Sequence, residues 1–254
     1  MQNKSSDFNI MQEQVTILVI YTGGTIGMHI DKESGALVPV NFDEISREIP
    51  ALQDYNITID SWAFDPPIDS SNMDTNHWVT IANVIEDNYE DYDGFVVLHG
   101  SDTMAYTASA LSYMVKDTGK PIILTGSQKP IYQKGNDAVN NLYSAVSAAT
   151  QDLGEVAIAF GERLLRGPRT IKEDAQGFNA FSSPKENPLG IFIQEDRKTN
   201  LYMFGNHFKT HDKNPEFFRD LETNVMYYPQ SSGSDTYVLE DMVGRGAVKG
   251  VVMG

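Results

Sequence analysis

No cysteine occurs among the 254 residues. Disulfides, thiolate metal sites and a cysteine nucleophile are thereby excluded, and the composition fits a reducing compartment. Basic residues are scarce: 19 Lys and Arg against 35 Asp and Glu give a formal net charge of −16. A surface of that sign repels phosphate backbones and anionic lipid, so neither nucleic acid nor membrane is expected as a partner. No run approaches the about 20 apolar residues that a membrane-spanning helix needs. Residues 1–14 are polar, include Asp7 and Glu13, and lack the basic start and apolar stretch of a secretory signal. Gly23-Gly24-Thr25-Ile26-Gly27 has neither the spacing nor the following lysine of a phosphate-binding loop. His207 and His211 are four apart, with no third ligand nearby in sequence, so no metal site is expected.

Apolar strands that run into glycine and then a hydroxyl side chain are what the chain does have. Val15–Tyr21 opens into Thr22-Gly23-Gly24-Thr25, Gly94–His99 into Gly100-Ser101-Asp102-Thr103, and Pro121–Thr125 into Gly126-Ser127-Gln128. Parallel strands of an open α/β sheet end on one side, where ligands bind. The pattern therefore gathers Thr25, Ser101, Asp102 and Ser127 at one place. Between the strands, apolar residues at helical spacing predict helices over Phe42–Leu52, Thr75–Tyr92, Thr103–Val115 and Asp137–Ala149. Asp74 or Thr75 is suited to cap the second of these. His29–Val40 and the proline-containing Asp65–Asn72 read as loops, Ile57–Phe64 and Glu155–Phe160 as strands. The alternation predicts an α/β fold: a mostly parallel open sheet with flanking helices, plus the start of a second, smaller α/β domain. The expected organisation is a flexible N-terminus over 1–14, a catalytic domain over 15–184, a loop-rich connection over 185–222, and a partial C-terminal domain over 223–254. Because the apolar run Val248–Met253 stands at the very end, a fragment of a longer protein is expected.

Each candidate has a plain structural reading beside the chemical one. The glycines before Thr25 can form an ordinary tight turn. Ser101 or Asp102 can cap the helix that follows, which accounts for one of the two and leaves the other available. Lys172 reads as a solvated charge unless the fold returns it to Asp102, where a lysine in a dry cleft can act as a base. Asp69, Ser70 and Ser71 can form an Asx turn or present themselves to a ligand. His99 at its strand end reads as a satisfied buried histidine or one that orients a neighbour.

Taken together, Tyr21–Gly27 (YTGGTIG), Asp65–Met73 (DPPIDSSNM), Asp93–Ser109 (DGFVVLHGSDTMAYTAS), Thr125–Gln128 (TGSQ) and Arg166–Lys172 (RGPRTIK) resemble the bacterial L-asparaginases, and most of all the cytoplasmic type I branch. The resemblance runs from about Val15 to Pro184. It implies hydrolysis of L-asparagine to L-aspartate and ammonia, without cofactor or metal, in a cytoplasmic homo-oligomer. It implies that Thr25 is the nucleophile, and that Lys172 is a base which Asp102 orients and for which Ser101 relays protons. It further implies that Asp69 and Ser70, with Ser101 and Asp102, bind the substrate's α-amino and α-carboxylate groups. Ser101 stands where the family usually has threonine, and Ser34–Pro39 holds no tyrosine where many members carry one, Leu37 taking its place. Two other readings exist. Ser34–Val40 resembles the asparaginase-like subunit of tRNA-dependent amidotransferases, against which the acidic charge argues. A non-catalytic amino-acid-binding module is the other.

Overall fold

The computed structural model describes residues 14–30, 37–39, 45, 56–195, 198–210 and 214–254. The helix expected over Phe42–Leu52 lies outside these, apart from Ile45, which is helical and buried. The loop expected over His29–Val40 is corrected where it is described: Met28–Ile30 and Leu37–Pro39 pair as antiparallel strands through their backbone hydrogen bonds, while 31–36 and 40 lie outside. The chain divides into two compact units, Met1–Phe217 and Phe218–Gly254.

The first unit is built on one eight-stranded sheet. Four strands are the apolar runs of the sequence: β1 (Val15–Tyr21), and, numbering onward past a short hairpin of β2 (Met28–Ile30) and β3 (Leu37–Pro39) and the partly exposed β4 (Ile57–Ala63), β5 (Gly94–Leu98), then past β6 (Val115–Lys116), β7 (Ile122–Thr125) and β8 (Val156–Phe160). In space β4, β1, β5, β7 and β8 lie side by side, all parallel. β5, β7 and β8 are buried at every residue, which is why they read as continuous apolar runs rather than alternating ones. Alternate residues serve opposite faces. Ile17, Val19, Val96, Leu98, Ile123, Ala157 and Ala159 share a core cluster with Leu142, Ala145 and Val146. Those three come from helix α3 (Ala138–Ala149), which follows α1 (Thr75–Asp87) and α2 (Met104–Met114) in the chain. Helices α1 and α2 pack on each other, and α2 packs against β7 and β8.

Helix starts follow local chemistry. Asp74 caps α1, its carboxylate accepting from the backbone N–H groups of Asn76 and His77, while the His77 imidazole accepts from Asp74 N–H in return. Thr103, not Ser101 or Asp102, is the cap residue of α2; its side chain accepts from no N–H of that helix, and its hydroxyl donates to Ser70 O at 2.7 Å. The capping expectation for Ser101 or Asp102 is thus corrected: neither side chain caps the helix.

The expected loop-rich connection needs a larger correction. β9 (Arg163–Arg166) returns antiparallel to β8, and β12 (Gly190–Glu195) and β13 (Lys198–Met203) extend the sheet antiparallel beyond it; β10 (Ile171–Lys172) and β11 (Phe181–Ser182) form a separate antiparallel pair. Phe192, Leu201 and Met203 pack on the core, so apolar burial draws this stretch into the first unit. β14 (Glu216–Phe217) pairs with β6 there as well. In the second unit, β15 (Val225–Tyr228) and β16 (Gly250–Met253) pair in parallel, with α4 (Tyr237–Gly244) between them in sequence: a βαβ unit, as the sequence pattern suggests.

Strand order fixes where a ligand can bind. The chain passes from β1 to β4 on one side and then returns to β5 on the other. The carboxyl ends of β1 and β5 therefore flank a topological switch point. Thr22–Gly27 leaves one of these ends and Gly100–Thr103 the other.

Candidate active site

Three turns meet at the switch point through backbone contact that only glycine allows. Ile68 N–H donates to Thr22 O at 2.7 Å, and a side chain on Gly23 would begin 2.3 Å from Ile68 O. Gly24 has φ +91°, and its Cβ would lie 2.6 Å from Gly100 Cα. A Cβ on Gly100 would lie 2.4 Å from Ser70 Oγ. The turns after β1, β4 and β5 are therefore stacked, and Thr25 and Ser101 each follow a glycine of the touching Gly24–Gly100 pair. Thr25 begins a single 3-10 turn, Thr25–Gly27, held from below by the buried Tyr21, whose hydroxyl donates to Gly27 O at 3.4 Å. Burial keeps that phenol protonated, its pKa pushed up to about 12.

Lys172 reaches this place from β10. Its ammonium donates to Ser101 Oγ at 2.9 Å and to Asp102 Oδ1 at 2.7 Å. The Lys172 side chain is mostly covered, 16% exposed, while Asp102 is 68% exposed. The lysine is therefore positioned by a carboxylate and a hydroxyl that stand some 70 residues away in sequence. Asp69 opens the 3-10 turn Ser70–Asn72, its Oδ1 accepting from Ser71 N–H and Ser71 O–H, both at 2.9 Å; Ser70 is buried beside Gly100. Ser127 is buried at the same sheet edge, but its hydroxyl donates to Lys129 O at 2.6 Å, so it shapes its own turn. His207 Nδ1 pairs with Phe204 O at 2.7 Å, and His211 lies outside the described residues.

His99 lies fully buried beneath the site. Trp78 Nε1 donates to Thr107 Oγ1 at 2.9 Å; the Thr107 hydroxyl then donates to His99 Nε2 at 2.9 Å, and Nδ1–H donates to Gly100 O at 2.7 Å. The ring bridges helix α2 to the turn that carries Ser101. Desolvation pushes its pKa down to about 4, partly opposed by the Gly100 bond. Between that value and the ordinary 6.5 the unfolded chain binds a proton that the folded chain refuses, so this contribution to stability is intact above pH 6.5 and is lost as pH falls toward 4. In urea unfolding at pH 7 and 4.5, wild type is expected to lose about 2 kcal/mol more than His99→Gln. An equal loss in both proteins contradicts a buried neutral ring.

Residues that the sequence did not single out brace the turn after β7. Asp137 accepts from Gln128 N–H, from Lys129 N–H at 3.0 Å and from Asn141 Nδ2 at 3.1 Å; Asn141 in turn donates to Gly126 O at 2.9 Å. The Gln128 side chain comes within 3.4 Å of Ser101 Oγ. Only the spacing from Gln128 to the start of α3 signals this in the sequence, since an aspartate there reads first as a helix cap.

The sequence matches the asparaginase N-terminal family over residues 16–203. The chain belongs to the asparaginase family. L-asparaginase 1 of Escherichia coli K12 is 44% identical to it over 194 residues, covering 72% of this chain and 55% of that protein. The thermostable L-asparaginase from Thermococcus kodakarensis has the same fold, with a TM-score of 0.82 at 29% identity, over 94% of this chain and 70% of that one. A glutamyl-tRNA(Gln) amidotransferase subunit of Methanopyrus kandleri is 31% identical over 250 residues, 93% of this chain and 54% of that protein. The asparaginase-family chain thus spans about half the length of these two curated relatives, the Escherichia coli and Methanopyrus kandleri proteins. Among its described residues no helix is long and apolar enough to cross a membrane, and no group of three or more His, Asp or Glu side chains could hold a metal ion.

Proposed function

We propose that this chain hydrolyses L-asparagine to L-aspartate and ammonia through an acyl-enzyme on Thr25. The observation that carries the reading is the contact of Lys172 with both Ser101 and Asp102, beside the glycine pair that brings the Thr25 turn against the Ser101 turn. Thr25 Oγ attacks the side-chain amide carbon, and its proton passes toward Lys172, which must accept it as the neutral amine. Backbone N–H groups of the glycine turn stabilise the oxyanion, a contribution of roughly 3–4 kcal/mol in comparable sites. The C–N bond breaks and ammonia leaves with the transferred proton. Water then attacks the ester; Ser101 relays its proton to Lys172, and aspartate departs as the Thr25 hydroxyl is restored. Asp102 keeps Lys172 in place, and Asp69, Ser70 and Asp102 hold the zwitterionic end of the substrate. One acidic pair with neutral donors suits an ammonium and a carboxylate on the same carbon.

All of these residues fall within the first compact unit, which we assign as the catalytic domain. Following the family resemblance and the absence of cysteine, we place the protein in the cytoplasm as a homo-oligomer. Purified protein is expected to release ammonia and aspartate in equal amounts from L-asparagine. A substrate-induced thermal shift with no ammonia from asparagine or glutamine overturns the reading in favour of a binding module. The likeness to an amidotransferase subunit supports a second reading with the same amide chemistry, in which ammonia passes to tRNA-bound glutamate; stimulation of hydrolysis by glutamyl-tRNA distinguishes it.

A further inference from the structure

We infer that Gln128 is a positioning residue which biases where the Ser101 hydroxyl points its hydrogen, and through it the exchange of a proton between Ser101 and Lys172. Its consequence for turnover rests on the hydrolysis reading above; the hydrogen-bond direction itself does not.

The backbone at Gln128 is fixed first. Its N–H donates to the two oxygens of Asp137 at 3.1 and 2.9 Å, and Asp137 is itself buried and held by Asn141. The side-chain amide is fixed next. Its Nε2 donates to Ala175 O at 3.3 Å and to Gly177 O at 3.1 Å. Carbonyl oxygens only accept, so the nitrogen must face them and Oε1 must face Ser101. An amide oxygen also only accepts. The hydrogen in the 3.4 Å Ser101–Gln128 contact therefore comes from Ser101. Ser101 Oγ meanwhile accepts from Lys172 at 2.9 Å.

The chain of donors thus runs one way, from Lys172 through Ser101 to Gln128. A charged lysine, with three hydrogens and no lone pair, fits it. A neutral lysine needs the opposite arrangement, with the Ser101 hydrogen turned toward its nitrogen. Gln128 competes for that hydrogen. A 3.4 Å contact is long for O–H···O, so the bias is weak enough to be reversed when a proton must travel. Among the described residues, the charged groups facing Lys172 are Asp102 at 2.7 Å and Asp174 in the following loop. The Asp174 carboxyl is held below its ordinary range by the Gln176 and Gly177 N–H groups, and then by the Lys172 charge. Both carboxylates are retained when residue 128 is changed.

The test follows the titration of Lys172 in protein carrying 13C at lysine Cε, its signal assigned by disappearance in Lys172→Met. Gln128→Leu removes the acceptor and is expected to move the midpoint down, by about half a unit or more; Gln128→Glu adds a negative acceptor and is expected to move it up. The acid limb of kcat/KM for asparagine is expected to follow in the same two directions, whereas purely structural damage would not split them by sign. Unchanged midpoints in both variants, or shifts of the same sign, overturn the inference. If wild type releases no ammonia, the functional reading falls while the two midpoints still decide the role of Gln128.

Discussion

Thr25→Val is expected to leave a folded protein that no longer hydrolyses asparagine, its turnover lower by about 10⁴-fold or more. Valine keeps the shape of threonine and removes only the hydroxyl. Thr25 is partly exposed at the start of its turn, and the turn is held by other groups: Tyr21 beneath it, Gly24 against Gly100, and Ile131 N–H donating to Ile26 O at 3.2 Å. Stability should therefore change by about 1 kcal/mol or less. The chemical loss is large because no bond to the acyl group can form without the oxygen, and the base and oxyanion donors then act on nothing. Turnover within tenfold of wild type, with an unchanged melting curve, would remove Thr25 from the mechanism.

Lys172→Met is expected to lower turnover by about 10²–10⁴-fold, the usual worth of a general base, while aspartate still binds. Methionine retains most of the apolar stem in its covered position and removes the ammonium. The fold should barely notice. The partner carboxylate of Asp102 is largely solvent-exposed, and an ion pair of that kind contributes about 0–1 kcal/mol. Aspartate binding survives because the groups assigned to its ammonium and carboxylate, Asp69, Ser70, Ser101 and Asp102, sit on turns held by the glycine contacts and by Thr103 donating to Ser70 O, and not by Lys172 alone. Calorimetry showing lost binding together with intact turnover would contradict the assignment.

Much of this was legible because the central strands announce themselves. A strand buried on both faces must be apolar throughout, and Gly94–Leu98 and Val156–Phe160 are. Glycine at a strand's carboxyl end, followed by a hydroxyl, pointed to the sheet edge where the Thr25 and Ser101 turns touch. The meeting of Lys172 with Asp102 was not readable from spacing; it depends on β9 turning back along β8 and on β10 then bringing Lys172 to Asp102. β12 and β13 were hidden by their composition. Only one side of that hairpin is covered: Phe192 is buried while Ile193 and Tyr202 are exposed, and the proline- and asparagine-rich residues before it mask the alternation. The brace formed by Asp137 and Asn141 was unreadable for another reason. Both lie at the start of a helix, where short polar side chains are ordinary, and only the fold shows that the carboxylate faces back to Gln128 and Lys129 instead of capping α3.

The central claim, an acyl-transfer centre at Thr25, is tested most directly by intact-mass and peptide mapping of protein quenched in acid during asparagine turnover. The account predicts a fraction of the chain heavier by one aspartyl group, with the adduct on the peptide containing Thr25 and absent from Thr25→Val. Steady turnover with no adduct, or an adduct on another peptide, would contradict it.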